Sequence, residues 1–561
     1  MLSILRYRQL RHELEKSIQL YPPERNHASD SPPQPLIDNG PFRDAGRTFK
    51  SSENGDSNTA SLVTLQNGQR AHMPGVKVVC VDSLSGNDKS EIFLVGFDNG
   101  KDQLNPKNWP LAYKWRTLAI VGMTGFLVGW ASSIDSMVIK QAQEEFHVSD
   151  VTESLATAFY LIAFAFGSLV AAPFSETVGR NPVYLMTLSL FMIFIMASGL
   201  APNIGAQFAF RFLAGLFGCT PLTTFGGSMA DIFDLLDRTY AFPVCCSLSF
   251  LGPFLAPMVG AFIGQSSLLS WRWSEWTTLI LAGVITVSIF LFVPETYAPV
   301  LLKWKAGHLR SITGDPRFLA AIEFEQASIS VRLMRSCSRP FKLFFGELMV
   351  ALFTMYLVVV YIVLFGFLTG YDFIYGQTYG FSQGSVGLAF IGMNIGFLIA
   401  FAIIPHVYYK YKQSLEAAAK TEKRHPEPEE RLWYAMYGAP WLPISLFWMG
   451  WTSYLSIPYW SSLASSVAFG FAVQGIFISS YQYLIDTYEQ YAASALVSAT
   501  FFRYIAAGVM VVVSLPMYKN LGVHWSLTLL GCVSLVMTPV PYIFYKYGRA
   551  FRERSKTAVH D

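Results

Sequence analysis

Charge is scarce in this chain. Asp, Glu, Lys and Arg make up 14% of its 561 residues, against about 25% in a soluble domain. A soluble protein with buried helices would show apolar runs of about 10–14 residues, whereas the runs here reach bilayer length. The formal net charge of +3 is too small for a nucleic-acid surface, so no nucleic-acid partner is expected. None of the six cysteines (Cys80, Cys219, Cys245, Cys246, Cys337 and Cys532) forms a CxxC pair, and most fall inside apolar runs. They read as small buried residues, which excludes a disulfide framework or a thiolate metal site. The nine histidines all lie outside the apolar runs or at their edges, which removes most intramembrane metal or His-based catalysis and argues against an enzyme. No Gly-rich loop ends in the Lys that a nucleotide would need, so no cofactor is implied. Residues 2–20 mix Leu and Ile with Arg, Lys and Glu, which suits an amphipathic helix and lacks the unbroken apolar core of a signal peptide.

What is abundant is apolar length. Twelve candidate spans lie near 115–138, 153–173, 182–200, 205–230, 242–263, 274–293, 346–369, 384–405, 437–456, 462–484, 493–516 and 525–545. At about 1.5 Å per residue, roughly 20 residues cross the ~30 Å hydrocarbon core. The expected organisation is a cytosolic, largely disordered tail over 1–114, a six-helix half over 115–293, a central cytosolic loop over 294–345, a second six-helix half over 346–545 and a cytosolic tail over 546–561. Residues 22–60, rich in Pro, Ser, Asn and Asp, should be disordered, while two stretches within 76–98 suit brief extended segments. With the N-terminus inside, the inner connections collect Lys303, Lys305, Arg310, Arg317, Arg332, Arg335, Arg339, Lys342, Lys410, Lys412, Lys420, Lys423, Arg424 and Arg431, and the outer ones hold only Lys140, Arg272 and Lys519. Both termini are therefore expected in the cytosol.

Between spans two and three runs Gly167-Ser-Leu-Val-Ala-Ala-Pro-Phe-Ser-Glu176-Thr-Val-Gly179-Arg180-Asn-Pro182. Gly179 can take φ > 0 and Pro182 is pre-set for a first helical turn, so the connection is short, charged and tight. This loop resembles the Gly-x-x-x-Asp-Arg-x-Gly-Arg signature of the major facilitator superfamily. Asn105-Pro-Lys-Asn-Trp109, Arg211-Phe-Leu-Ala-Gly215, Met229-Ala-Asp231, Gly252-Pro253-Phe-Leu-Ala-Pro257-Met-Val-Gly260, Pro294-Glu-Thr-Tyr297 and Tyr483-Leu-Ile-Asp486 extend the resemblance to the fungal twelve-span drug:proton antiporter branch. The loop departs from the signature at Ala172, Glu176 and Thr177, and no clear copy of it follows span eight.

The resemblance implies an all-α membrane protein of the major facilitator fold, with twelve transmembrane helices in two six-helix halves. It implies a proton-coupled antiporter that exports drugs, toxins or secondary metabolites by alternating access. A nutrient, vitamin or polyamine transporter of the same fold, and a non-transporting sensor, stand as alternatives. Pro294-Glu-Thr-Tyr297 and the Gly-Pro bend in span five favour export over a sugar porter. Glu176, Gly179, Arg180 and Asp231 form the expected cytosolic gate, with Arg180 paired to Asp231 and Glu176 facing the start of span eleven near Ser494. These contacts are expected to tie the halves together when the cytosolic side is closed. Gly252, Pro253, Pro257 and Gly260 form the antiporter bend; Pro removes a backbone hydrogen bond and Gly admits a neighbouring helix. Asn394, Gln474 and Arg503 fall near mid-depth, where a substrate cavity is expected. Asp135 and Arg211 lie at matching depth near the outer face and are expected to carry the proton. The expected partners are a small-molecule substrate, protons and the lipid bilayer, in a plasma or vacuolar membrane, with a monomer as the default.

Overall fold

Among the described residues, ten helices are long and apolar enough to cross a membrane. In the computed structural model, residues 1–21, 62–64, 70–73, 75–82, 89–98, 102–324, 329–420, 426–488 and 491–555 are described. The expected disorder of 22–60 falls outside them, as do Lys423 and Arg424. The first half holds α1 (Leu111–Ser133), α2 (Asp150–Val178), α3 (Arg180–Gly199), α4 (Ile204–Ile232), α5 (Arg238–Gln265) and α6 (Trp273–Phe292). The second holds α7 (Leu348–Tyr371), α8 (Gln383–Ala389 continued by Ile391–Ala400) and α9, in two pieces, Trp433–Gly438 and Trp441–Thr452. α10 is Tyr459–Tyr488, and Ala492–Met537 contains α11 and α12 on either side of Gly522. The tenth apolar run thus holds two crossings and the broken α9 supplies the remaining one, which gives six helices in each half.

Local chemistry sets these boundaries. Ser149 caps α2 by accepting the Thr152 N–H at 3.2 Å, and Asn203 caps α4 by accepting the Ala206 N–H at 2.9 Å. Gly179 ends α2 with φ 110°, and Gly522, with φ 73°, turns the chain between α11 and α12. The twelfth span, expected to run to 545, ends at Met537, and a separate helix Val540–Arg554 follows. Pro539 and Pro541 punctuate that break by removing backbone donors.

A second compact unit gathers residues from 3–108 and 298–326. Strands Val76–Asp82 and Lys89–Val95 pair antiparallel, and Phe318–Leu319 adds to the second in parallel. Leu10 and Leu14 from the helix Leu2–Ser17 share a core with Phe93, Leu301, Leu309 and Phe318. The extended segments expected within 76–98 are therefore strands of a small sheet. Described parts of the expected tail and central loop fold together, because each presents an apolar face that it cannot bury alone.

Candidate functional site

Arg211 lies seven residues into α4, about 10 Å from its start at 1.5 Å per residue. It is 1% exposed. Its guanidinium pairs with the carboxylate of Asp135, in the short turn Ile134–Met137 that follows α1. It also pairs with Glu275 Oε1, on the first turn of α6, at 2.7 Å. Nη1 donates to the Ala131 carbonyl at 3.1 Å. Ser274 donates to Asp135 Oδ1 at 2.8 Å, and Ser198 donates to Glu275 Oε1 at 2.7 Å. One turn before Arg211, Gln207 donates to Glu153 Oε1 at 3.0 Å. Glu153, on the first turn of α2, is close enough to interact electrostatically with Arg211, Asp135 and Glu275. One guanidinium thus faces three buried carboxylates. Each ion costs several kcal/mol to take out of water, so this arrangement is stable only with close pairing or with protons bound among the acids.

The structure brings together Asp135 and Arg211, the residues that matching depth and the family resemblance together singled out. Glu275 and Glu153 were not expected. An acid on the first turn of a helix reads as a complement to the helix dipole, and only the packing shows both side chains turned inward. Trp271-Arg-Trp-Ser-Glu275 carries no spacing signal that would have separated the two cases.

The Gly252–Gly260 stretch of α5, expected to form the antiporter bend, packs against α1 behind this cluster. A Cβ on Gly252 would collide with the Phe126 carbonyl of α1, and one on Gly260 would come within 2.5 Å of the Ile134 carbonyl, next to Asp135. Pro253 packs where Gly129 has no side chain. α5 and α1 therefore approach at backbone distance, and α5 holds the turn that carries Asp135. The Ile134 carbonyl cannot move without moving that turn. We predict that Gly260→Ala lowers pH-driven flux several-fold, because overpacking costs about 1–3 kcal/mol. Gly283→Ala, which would meet only the flexible Met192 Cε at 3.7 Å, should leave flux unchanged in the same vesicle assay. Equal flux in the two variants would dissociate the bend from the acid cluster.

At the opposite end of the bundle, Arg180 Nε pairs with Asp231 Oδ2 at 3.3 Å, as expected, and Nη1 donates to Ser175 at 2.6 Å. Its guanidinium lies over the Tyr297 ring at 5.0 Å. Gly227 leaves room for that guanidinium, since a Cβ there would overlap it. Glu176 interacts electrostatically with Arg180. Glu295 accepts the backbone N–H groups of Arg180, Asn181, Thr296 and Tyr297 at 2.9–3.1 Å and so caps α3. Burial raises its pKa, while the four backbone donors pull the other way. A Cβ on Gly179 would meet this carboxylate at 2.6 Å, so Gly179 is required both by its φ and by its neighbour.

These contacts stay within one half. Gln482 joins the halves at this end by donating to the Arg238 carbonyl at 3.3 Å, and so does Arg431, before α9, which sequence reading used only as a loop charge. Arg431 binds Asp486 Oδ2 at 2.6 Å in its own half, and Thr239 Oγ1 at 2.6 Å and the Leu235 carbonyl at 3.2 Å in the other. Asp486 stands near the end of α10 as Asp231 does near the end of α4. That repetition between halves was the available signal. At the Asp135 end the halves also touch: Gln383 donates to the Met137 carbonyl, Gly384 N–H donates to Gln265 at 2.7 Å, and Lys519 pairs with Asp150.

Of the expected cavity residues, Gln474 donates to Ser247 of α5 at 2.5 Å, which places it on the seam between halves. Asn394 donates to the Phe390 carbonyl of its own helix at 3.1 Å. Phe397 and Phe477, one turn beyond Asn394 and Gln474, both touch Phe250. Arg503 is fully buried and lies over the ring of that same Phe477 at 5.0 Å. Arg503 thus lies against this aromatic seam, with Asn394 and Gln474 one turn from it along their own helices.

Family comparison matches residues 121–511 to the Major Facilitator Superfamily. The chain is 69% identical over 562 residues to the MFS-type transporter kojT of Aspergillus flavus, covering 99% of this chain and 100% of that protein. It is 32% identical over 468 residues to the ascochitine biosynthesis cluster MFS transporter of Didymella fabae, covering 82% and 89%. Among solved structures, the proton:xylose symporter XylE bound to 6-bromo-6-deoxy-D-glucose matches with a TM-score of 0.57 at 16% identity, over 78% of this chain and 96% of that one. That last likeness concerns the fold alone.

Proposed function

This chain belongs to the major facilitator superfamily, a family of membrane transporters, and we propose that it is a proton-coupled antiporter that exports small organic molecules by alternating access. The observation that carries this reading is the buried cluster of Arg211 with Asp135, Glu275 and Glu153. Its carboxylates outnumber its guanidinium, so a proton taken up there relieves a buried negative charge. A rearrangement that changes water access or the Arg211 distance changes the affinity for that proton, which antiport requires. Arg180, Asp231, Glu176 and Gly179 order the cytosolic gate in this reading, and Arg431 joins the halves across it. Lys and Arg placement supports cytosolic termini, and a plasma-membrane location fits export. The relative within a biosynthesis cluster supports a secondary metabolite as cargo.

The test uses purified protein in sealed vesicles containing a pH-sensitive dye. Addition of a transported compound should move protons in the direction opposite to the compound, and an imposed pH gradient should concentrate the compound. Exchange of compound without any accompanying proton movement would overturn proton coupling.

A further inference from the structure

Position 503 is eleven residues past the start of α11, about 16 Å along the helix and so near mid-depth. Arg503 is 0% exposed. Among the described residues no carboxylate lies within ion-pairing distance of it, and Nε, Nη1 and Nη2 all lack a hydrogen-bond partner; the Tyr481 hydroxyl approaches outside good geometry. Four rings surround the guanidinium: Tyr361 at 4.6 Å, Phe477 at 5.0 Å, Tyr504 at 5.1 Å and Tyr481 at 5.2 Å. Aromatic faces attract a cation but accept no hydrogen bonds from its planar fork. Among the described residues, every other guanidinium buried to this degree, at Arg211 and Arg431, has a carboxylate. Arg503 therefore carries an uncompensated charge and unused donors at the depth where they are most costly.

The cage also faces the other half. Tyr504 stacks on Phe164 of α2 at 4.1 Å, and Phe477 meets Phe250 of α5 edge-on at 4.6 Å. A ligand held between the halves would reach the guanidinium by parting these rings. We infer that Arg503 and its aromatic cage form the subsite for a flat, conjugated organic anion, whose planar pair of oxygens shares one negative charge, as in a ring carboxylate. The guanidinium fork matches two coplanar oxygens, and the rings that now stack on one another would stack on the ligand's ring. This deepens the transporter reading and rests on it.

Binding at equilibrium tests it without any pH gradient, so failure of proton coupling and failure of this subsite give separate results. Benzoate, 2-hydroxybenzoate and cinnamate are titrated at pH 7.5 into purified protein in lipid nanodiscs, each against its neutral amide. The wild-type chain should prefer at least one acid over its amide by about tenfold or more, a difference that calorimetry resolves. Arg503→Met should lose that preference, and Arg503→Lys, which keeps the charge but not the fork, should fall between. Melting temperature and elution volume establish whether each variant folds, and Arg503→Lys carries the test if Arg503→Met does not. Binding of none of the three acids at millimolar concentration, or equal binding of acid and amide by the wild-type chain, would overturn the assignment.

Discussion

Asp135→Asn is expected to abolish export driven by a pH gradient while substrate exchange at equal pH continues. Asn keeps the shape of Asp and an oxygen to accept the Ser274 hydroxyl, which now donates at 2.8 Å. Arg211 retains Glu275 at 2.7 Å, so its charge stays paired and the half should fold. What is lost is one ionisable group in contact with the guanidinium. With that group fixed as neutral, the cluster presents the same charge on both sides of the transport cycle at this position. The loss in gradient-driven flux should reach at least about a hundredfold, the scale seen when a positioned proton-transfer group is removed. Glu153→Gln provides the contrast. Glu153 is bound by Gln207 instead of Arg211, so its removal should change the pH dependence of flux without eliminating it. Unchanged pH dependence in Asp135→Asn would move the proton site to Glu275 or Glu153 and leave the Asp135 pair structural.

The sequence made the bundle legible because membrane crossing imposes a simple length rule. Twelve runs of that length, divided by one long loop, correspond to the six helices on each side of the central region. It made Asp135 and Arg211 legible as a pair because depth along two spans can be counted and the family resemblance implies that those spans are neighbours. It did not reveal Glu275 and Glu153, since facing is not encoded in spans that are apolar nearly all round. Phe93 and Phe318 illustrate the same limit in the second unit. Their rings lie 5.0 Å apart, but their strands are far apart in sequence and Phe318–Leu319, only two residues long, is too short to announce a pairing. The aromatic residues Phe367, Tyr371 and Tyr375 pack against Phe469, Phe390 and one another. Arg503 was conspicuous for a chemical reason: a guanidinium in the middle of an apolar run has no packing role that Leu would not fill better.

The second large effect is expected at the other end of the bundle, where Arg180 and Arg431 should behave differently. Arg180→Ala removes contacts to Asp231 and Ser175 that lie within one half. Transport should fall sharply, because the α2–α3 turn loses the charge that orders it against α4. Arg431→Ala removes bonds to Thr239 and to the Leu235 carbonyl that cross between halves, together with its pair to Asp486. A hydrogen bond to a charged group contributes about 1.5–3 kcal/mol. Its loss would shift the closed-to-open balance at this end by roughly 10- to 150-fold. Access therefore separates the two variants better than flux does. A Ser247→Cys reporter, introduced with the six native cysteines replaced, sits where Gln474 now bridges the halves. Thiol labelling from the Arg180 end should speed up strongly in Arg431→Ala and little in Arg180→Ala, while both lose flux at least about tenfold, as a shift of 1.4 kcal/mol or more implies. Asp231→Ala should follow Arg180→Ala, and Asp486→Ala should follow Arg431→Ala, since each pair acts as a unit. Full transport with unchanged labelling in Arg431→Ala would show that its cross-half bonds do not hold this end closed, and the Gln482–Arg238 bond or the aromatic seam at mid-depth would then have to do so.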